Sequence, residues 1–219
     1  MKIKLKQYRF QLITTSVVTL LPILVGLILW NKLPDVMATH FGADNQANGW
    51  SSKAMAVFGL PLILLAVQWM TVLIINFDPK RRNISDKMFS LTLWIIPAIS
   101  LICCGSIYVS SLQINLNINL LVNIFTGIVF IAVGNYLPKC KRNYTVGIKL
   151  PWTLDDDENW NKTHRFGGIV WVLGGMVMLI LAFLPVSWMI PDLVVLAAVV
   201  VLPTAYSFLY YLRHRDNAE

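Results

Sequence analysis

Six stretches of about twenty apolar residues constrain this chain more than any other feature, because a helix crossing the roughly 30 Å hydrocarbon slab needs about 20 such residues. The windows fall at residues 11–30, 54–77, 88–110, 118–137, 166–188 and 193–212, which takes up most of the 219 residues and leaves no room for a separate soluble domain. Hydrophobic residues make up 57% and charged residues 13%, against about 45–50% and 25% in soluble domains, and the mean hydropathy is +0.64. The expected fold is all-α: a polytopic membrane protein of six transmembrane helices. The first window follows Lys2, Lys4, Lys6 and Arg9, but its apolar run exceeds the 7–15 residues of a signal-peptide core and no small-residue cleavage site follows promptly. It reads as an uncleaved span.

Charge placement sets an expected orientation. Four Lys and Arg precede the first window, four lie between the second and third (Lys80, Arg81, Arg82, Lys87), six between the fourth and fifth (Lys139, Lys141, Arg142, Lys149, Lys162, Arg165), and two in the tail (Arg213, Arg215). The alternate segments hold only Lys32 and Lys53. By the positive-inside rule both termini are cytoplasmic, as are the second and fourth loops. The formal net charge of +7 is thus mostly topological, with attraction to anionic membrane lipids as its secondary meaning and no direct nucleic-acid partner implied. Two three-helix parts follow, residues 1–110 with a structured external loop at 31–53, and residues 111–219 with a cytoplasmic loop at 138–165, in one membrane domain.

Inside the spans the polar content is low. No acid, base or histidine falls in the middle of a window, whereas ion and proton pathways usually need one. Gln68 and Asn123 are the polar exceptions, read as interhelical hydrogen-bonding groups. Pro22, Pro61, Pro97 and Pro203 shape helices, and Trp30, Trp188, Tyr210 and Tyr211 suit the interfacial belts. Gly167-Gly168 and Gly174-Gly175, seven apart, set small residues on one face for close helix approach. Cys103, Cys104 and Cys140 show no C-x-x-C spacing and no pair on the oxidising side, so disulfides are not expected.

Two polar segments can carry specificity. The external loop, "NKLPDVMATHFGADNQANGWSSK", contains turn chemistry: Asn48-Gly49 supports positive φ, and Asn45 tolerates it. Its ligand-contact candidates are His40, Phe41, Asn48, Gly49, Trp50 and Lys53; a lone His40 is no metal site. The cytoplasmic stretch "GIKLPWTLDDDENWNKTHRFGG", residues 147–168, has four consecutive acids. With Thr153 as N-cap and Asp156 at N3, Asp155 to Glu158 fall in the first turns of a short surface helix, where the helix dipole favours carboxylates. Glu158 and Lys162 form an i, i+4 pair, Trp160 and His164 share a face, and His164 and Arg165 lie at the helix end. Metal loops and hydrolase motifs are missing. No catalytic, cofactor-binding or metal-binding residue is assigned, and the protein is not read as an enzyme.

At these residues a family becomes visible. "GNYLP" at 134–138, "RNYTVGIKLPWTL" at 142–154 and "ENWNKTHRFGG" at 158–168 resemble the signature of the SdpI family of bacterial membrane proteins, and the external loop resembles the amino-terminal module of unknown function often joined to it. The resemblance spans nearly the whole chain. It implies six helices in the cytoplasmic membrane, immunity to a secreted killing peptide, and a sensor that holds a cognate repressor at the membrane. Its signature and partner candidates are Asn135, Pro138, Lys149, Pro151, Trp152, Thr153, Trp160, Thr163, His164 and Arg165. A small-solute or lipid transporter and a membrane enzyme are the alternatives: the first would show gradient-dependent flux, the second an activity lost on changing His164 or an acid.

The orientation is directly testable. In intact cells, cysteine introduced as Asn48→Cys is expected to react with an impermeant thiol reagent and Asp157→Cys to be protected; the reverse pattern would invert the topology.

Overall fold

A computed structural model describes residues 7–42, 45–184 and 189–214. It is mainly helical: α1 is Arg9–Ile28, α2 Leu60–Phe77, α3 Asp86–Ser111, α4 Ile118–Tyr136, α5 the single turn Pro151–Asp155, α6 Asp157–Ala182 and α7 Met189–His214. Among the described residues six helical stretches are long and apolar enough to cross a membrane, namely Arg9–Ile28, Met55–Phe77, Asp86–Ser111, Ile118–Lys139, Asp157–Ala182 and Met189–His214. The fifth differs from expectation. It begins nine residues before the apolar window, because the signature and the apolar run form one continuous helix rather than a surface helix followed by a span. Trp188 lies outside the described residues.

The chain forms two compact units, Met1–Phe77 with Phe89–Val122, and Asp78–Met88 with Asn123–Glu219. In the first, polar groups in the apolar helices satisfy one another, as they must where no water is at hand. Thr19 Oγ1 donates to Gln68 Oε1 at 2.7 Å, and Gln68 Nε2 donates to Thr15 Oγ1 at 2.8 Å, which bears out the reading of Gln68. Ser100 Oγ donates to the Thr19 carbonyl at 2.7 Å and Tyr108 OH to the Pro22 carbonyl at 2.9 Å, so α3 is pinned to the backbone of α1 beside its proline. Below them Leu33, Met37, Val57, Cys104 and Ile107 form a buried cluster.

The 31–53 loop is a hairpin, which the turn signals anticipated only in part. Strand β1, Val36–Phe41, pairs antiparallel with β2, Ala47–Ser52. Beyond the strands, Gly42 N–H donates to the Gln46 carbonyl at 2.8 Å, and Asn45 is at φ +61°. Asn48-Gly49, expected to make a turn, is instead inside β2. Gly49 has another role there: a Cβ at that position would come within 2.9 Å of His40 Cβ. At the hairpin base Lys53 pairs with Asp35 at 3.1 Å, donates to the Trp30 carbonyl at 3.3 Å and lies over the Trp30 ring. At its tip, Asn45 Oδ1 accepts from the Ile118 and Asn119 amides at 3.0 and 3.4 Å, capping the start of α4.

In the second unit α4, α6 and α7 pack through glycine. A Cβ on Gly134 would meet the Gly168 carbonyl at 2.9 Å, and one on Gly127 the Gly175 carbonyl at 2.8 Å. Two glycines seven apart on α4 thus meet two glycines seven apart on α6. Gly174 faces α7 instead, where its Cβ would lie 2.8 Å from Val199, and Gly167 abuts Ile148 and Pro203. The packing-groove reading of the four α6 glycines therefore stands, divided between two faces. Asn123 donates to Asp192 Oδ2 at 3.1 Å, and Asp192 lies in the first turn of α7, where the helix dipole favours a carboxylate.

Gly168→Leu and Gly175→Leu are expected to lose about 1–3 kcal/mol or more of stability by overpacking, seen as earlier thermal unfolding in detergent. Among the described residues nothing lies within 4 Å of where a Cβ on Gly105 would sit, so Gly105→Ala should be neutral or stabilising by about 0.5–1 kcal/mol.

Candidate functional site

The signature segment builds a closed polar structure around the first turns of α6. Asn159, Trp160, Thr163, His164, Gly167 and Gly168 are all buried, a spacing of i, i+1, i+4, i+5 that marks one face of a helix. Asp156, extended at φ −115° and ψ 121°, caps this helix by accepting the Glu158 amide at 2.7 Å. The expected cap, Thr153, belongs to the preceding turn. It is fully buried; its Oγ1 accepts from the Leu150 amide at 2.9 Å and bonds the Ile148 and Leu150 carbonyls, each at 3.0 Å. The chain breaks at Asp156 because its side chain competes for the backbone donors of the next helix, as an N-cap does. His164 and Arg165 correspondingly both sit in the third turn of a 26-residue helix, not at its end.

His164 ties the loop to this face. The Ile148 amide reaches His164 Nε2 at 3.0 Å, and His164 Nδ1 lies 2.7 Å from the Trp160 carbonyl. An amide N–H is only a donor, so Nε2 is the unprotonated nitrogen and Nδ1 carries the hydrogen. The imidazole stacks on Trp160 at 4.0 Å between centroids, and Trp160 Nε1 donates to the Cys140 carbonyl at 2.7 Å. Gly147, at φ +120°, lies against both rings: a Cβ would sit 3.1 Å from Trp160 and touch His164 Nε2. Only glycine combines that backbone conformation with that lack of volume.

The loop before Gly147 folds around buried Asn143. Its Oδ1 accepts the Thr145 and Val146 amides at 2.9 and 2.7 Å, while its Nδ2 donates to the Lys141 and Val146 carbonyls at 2.9 and 3.0 Å. Asp78, also buried, accepts from the Tyr144 amide at 2.9 Å, Thr145 Oγ1 at 2.7 Å and the Lys80 amide at 2.7 Å. Arg142 donates to the Leu154 and Asp155 carbonyls at 2.9 and 2.6 Å and pairs with Asp157 at 2.7 Å, while Asn83 donates to the Arg142 carbonyl at 2.6 Å. Burial raises the Cys140 thiol above its ordinary pKa, partly opposed by the bond from Asn143; it is a packed thiol, not a nucleophile. A second network crosses to α7: Trp152 Nε1 donates to Ser207 Oγ at 2.7 Å, and Ser207 Oγ and Thr163 Oγ1 both donate to Asn159 Oδ1 at 2.9 Å. The Trp152 ring lies between Phe208 and Tyr211.

The sequence candidates therefore divide by environment. Thr153, Trp160, Thr163 and His164 are buried and mutually engaged, and Trp152 is half-buried; Asn135, Pro138, Lys149, Pro151 and Arg165 are exposed. Glu158 and Lys162 pair as expected, at 2.9 Å. Of the hairpin candidates, His40 Nδ1 bonds Asn48 Oδ1, Phe41 is half-buried, and Trp50 is 60% exposed. Asp78, Arg142, Asn143, Asn159 and Ser207 were not singled out from sequence. Asn143 and Asn159 lie inside the quoted motifs, and Asp78 is an isolated acid ahead of three basic residues, which was the available signal. Among the described residues no group of three or more His, Cys, Asp or Glu could hold a metal ion.

Fold and site together define a multi-pass membrane protein, with a hairpin in one unit and a motif-built polar knot in the other. Residues 139–210 match the model of the SdpI/YfhL protein family, and residues 17–65 match a domain of unknown function (DUF1648). The chain is similar to the immunity protein SdpI of Bacillus subtilis (strain 168), with 25% identity over 205 residues, covering 91% of this chain and 95% of that protein. The resemblance drawn from the sequence thus holds at both ends of the chain. No solved structure matches it.

His164→Ala leaves the Ile148 amide without its acceptor and is expected to cost about 1–3 kcal/mol. Gly147→Ala should also lower the thermal unfolding temperature of the purified protein, through its strained φ and the missing space. Lys149→Ala, on the exposed side, should stay within about 0.5 kcal/mol.

Proposed function

We propose that this protein is an integral membrane immunity protein that protects its host against a secreted antimicrobial peptide. The observation that carries the reading is the similarity to an immunity protein along 91% of this chain and 95% of that one, since a likeness of that extent includes both polar regions rather than a shared span. In this reading the first three spans, residues 1–110, present the hairpin outward, and the last three, residues 111–219, hold the signature knot at the cytoplasmic face. His40, Phe41, Asn48, Gly49, Trp50 and Lys53 form the peptide-facing side.

On the cytoplasmic side the buried Trp160, Thr163 and His164 keep the knot in shape, while the exposed Lys149 and Arg165 are the contacts for a protein partner. A repressor recruited to the membrane is the partner this reading names. Membrane lipids surround the spans, and no nucleic acid is bound directly. Favouring protection over transport, the middles of the spans are uncharged, which suits a protein that moves no ion or proton.

The test is expression in a bacterium sensitive to secreted membrane-active peptides, challenged with a panel of them. Expressing cells are expected to survive at least one peptide at doses that kill cells carrying empty vector. Arg165→Ala should leave both survival and membrane abundance intact but abolish co-purification of any cytoplasmic repressor. Equal killing across the panel would reject the immunity reading, and gradient-dependent flux of a solute through reconstituted protein would replace it with transport.

A further inference from the structure

Under the hairpin lies an open cavity of about 310 Å³, lined wholly by residues of the first unit, from β1, α2, α3 and the start of α4. Three consecutive residues of β1, Thr39, His40 and Phe41, line it. A regular strand cannot do this, because successive side chains point to opposite faces. Here the pairing is irregular on both sides of His40, between Ala38 and His40 and again between His40 and Phe41. Irregularities of this kind re-aim side chains and recur beside binding sites. The re-aimed histidine is then held in place: Asn48 Oδ1 bonds its Nδ1, and Gly49 leaves the room its Cβ needs. At the other edge, Asn45 secures the amides of Ile118 and Asn119, both of which also line the cavity. The wall is therefore preorganised from two directions.

The depth and chemistry of the cavity select its occupant. Ile118 is the first residue of α4, Leu60 lies five residues inside the helical stretch Met55–Phe77, and residues 102–107 of α3 lie within about 6–14 Å of the end of that helix, at about 1.5 Å per residue. The cavity therefore straddles the level at which apolar core gives way to polar boundary. Its walls are mostly apolar, yet Thr39, His40, Ser106 and Asn119 contribute hydrogen-bonding groups, and the buried Ser106 hydroxyl has no partner among the described residues. An acyl chain offers nothing to these groups. A peptide does, because each apolar side chain comes with an amide donor and a carbonyl acceptor on its own backbone. The volume is at the lower end of the roughly 300–1,000 Å³ of small-molecule sites, which suits a single large side chain.

We infer that this cavity receives one aromatic or branched side chain of a membrane-active peptide, with the flanking peptide backbone held by the polar rim. The inference rests on the immunity reading for the identity of the ligand, but the cavity can be tested without it. Cys103 lines the cavity and is the exposed cysteine, whereas Cys104 and Cys140 are buried, so the native chain carries its own reporter. In full-length protein in lipid nanodiscs, N-acetyl-tryptophanamide at millimolar concentration is expected to slow alkylation of Cys103 several-fold. The cavity-filling variants Val122→Trp and Ile102→Phe should remove that slowing while keeping wild-type abundance.

An unchanged alkylation rate with the probe would overturn the inference. So would a thiol that is protected in nanodiscs without the probe and becomes reactive when lipid is stripped away, since the occupant would then be an acyl chain. In cells the two filling variants should lose protection against whichever peptide the wild type resists. If the wild type resists none, the immunity reading fails, and the nanodisc result still decides what the cavity takes.

Discussion

The bond from the Ile148 amide to His164 Nε2 is the interaction on which the signature half depends. The segment from Cys140 to Leu150 has no regular secondary structure, and irregular backbone at a membrane boundary persists only if its polar groups find partners in the protein. His164 supplies one such partner, Trp160 Nε1 a second at the Cys140 carbonyl, and Asn143 closes four more within the loop. All of this requires the loop to lie flat on two stacked rings, which is possible because residue 147 has no side chain. The motif's specificity is thus architectural: its aromatic, imidazole and amide groups are used up in holding one loop against one helix face.

That use of the motif divides the signature into two kinds of residue. The inward stripe, Asn159, Trp160, Thr163 and His164, cannot reach another molecule without unfolding the knot. Lys149 and Arg165, on the same segment, are exposed instead. The hairpin in the other unit repeats the pattern. Asn48 and Gly49 are spent in positioning His40, and Lys53 in securing the base, while Trp50 remains on the surface.

Much of this was legible in the sequence, for physical reasons that differ by feature. The six spans were readable because apolar length is a property of composition over a window and needs no tertiary information. Gln68 and the α6 glycines were readable because a polar or minimal side chain in lipid has few uses. The Thr153 cap was misread because a local rule chose the nearest hydroxyl before the acids, whereas Asp156 gains by capping a long helix and Thr153 by closing the turn before it. Asn48-Gly49 misled in the same way: its left-handed tolerance was taken for a turn, when what the fold needed from Gly49 was empty space beside His40. The roles of Asp78 and Ser207 were hidden because both depend on partners more than forty residues away.

The unbroken run of α6 has a mechanical consequence. From Asp157 to Ala182 the helix is about 39 Å long, and the stripe that carries the knot continues into the glycines that mesh with α4. Knot and mesh are therefore two stations on one shaft. Turning the shaft at either station turns it at the other by the same angle, and since neighbouring residues are about 100° apart around the axis, even a fraction of that rotation would present a different set of side chains to the loop. The side chains that shape the loop and those that mesh with α4 are thus fixed on one helix, with no joint between them.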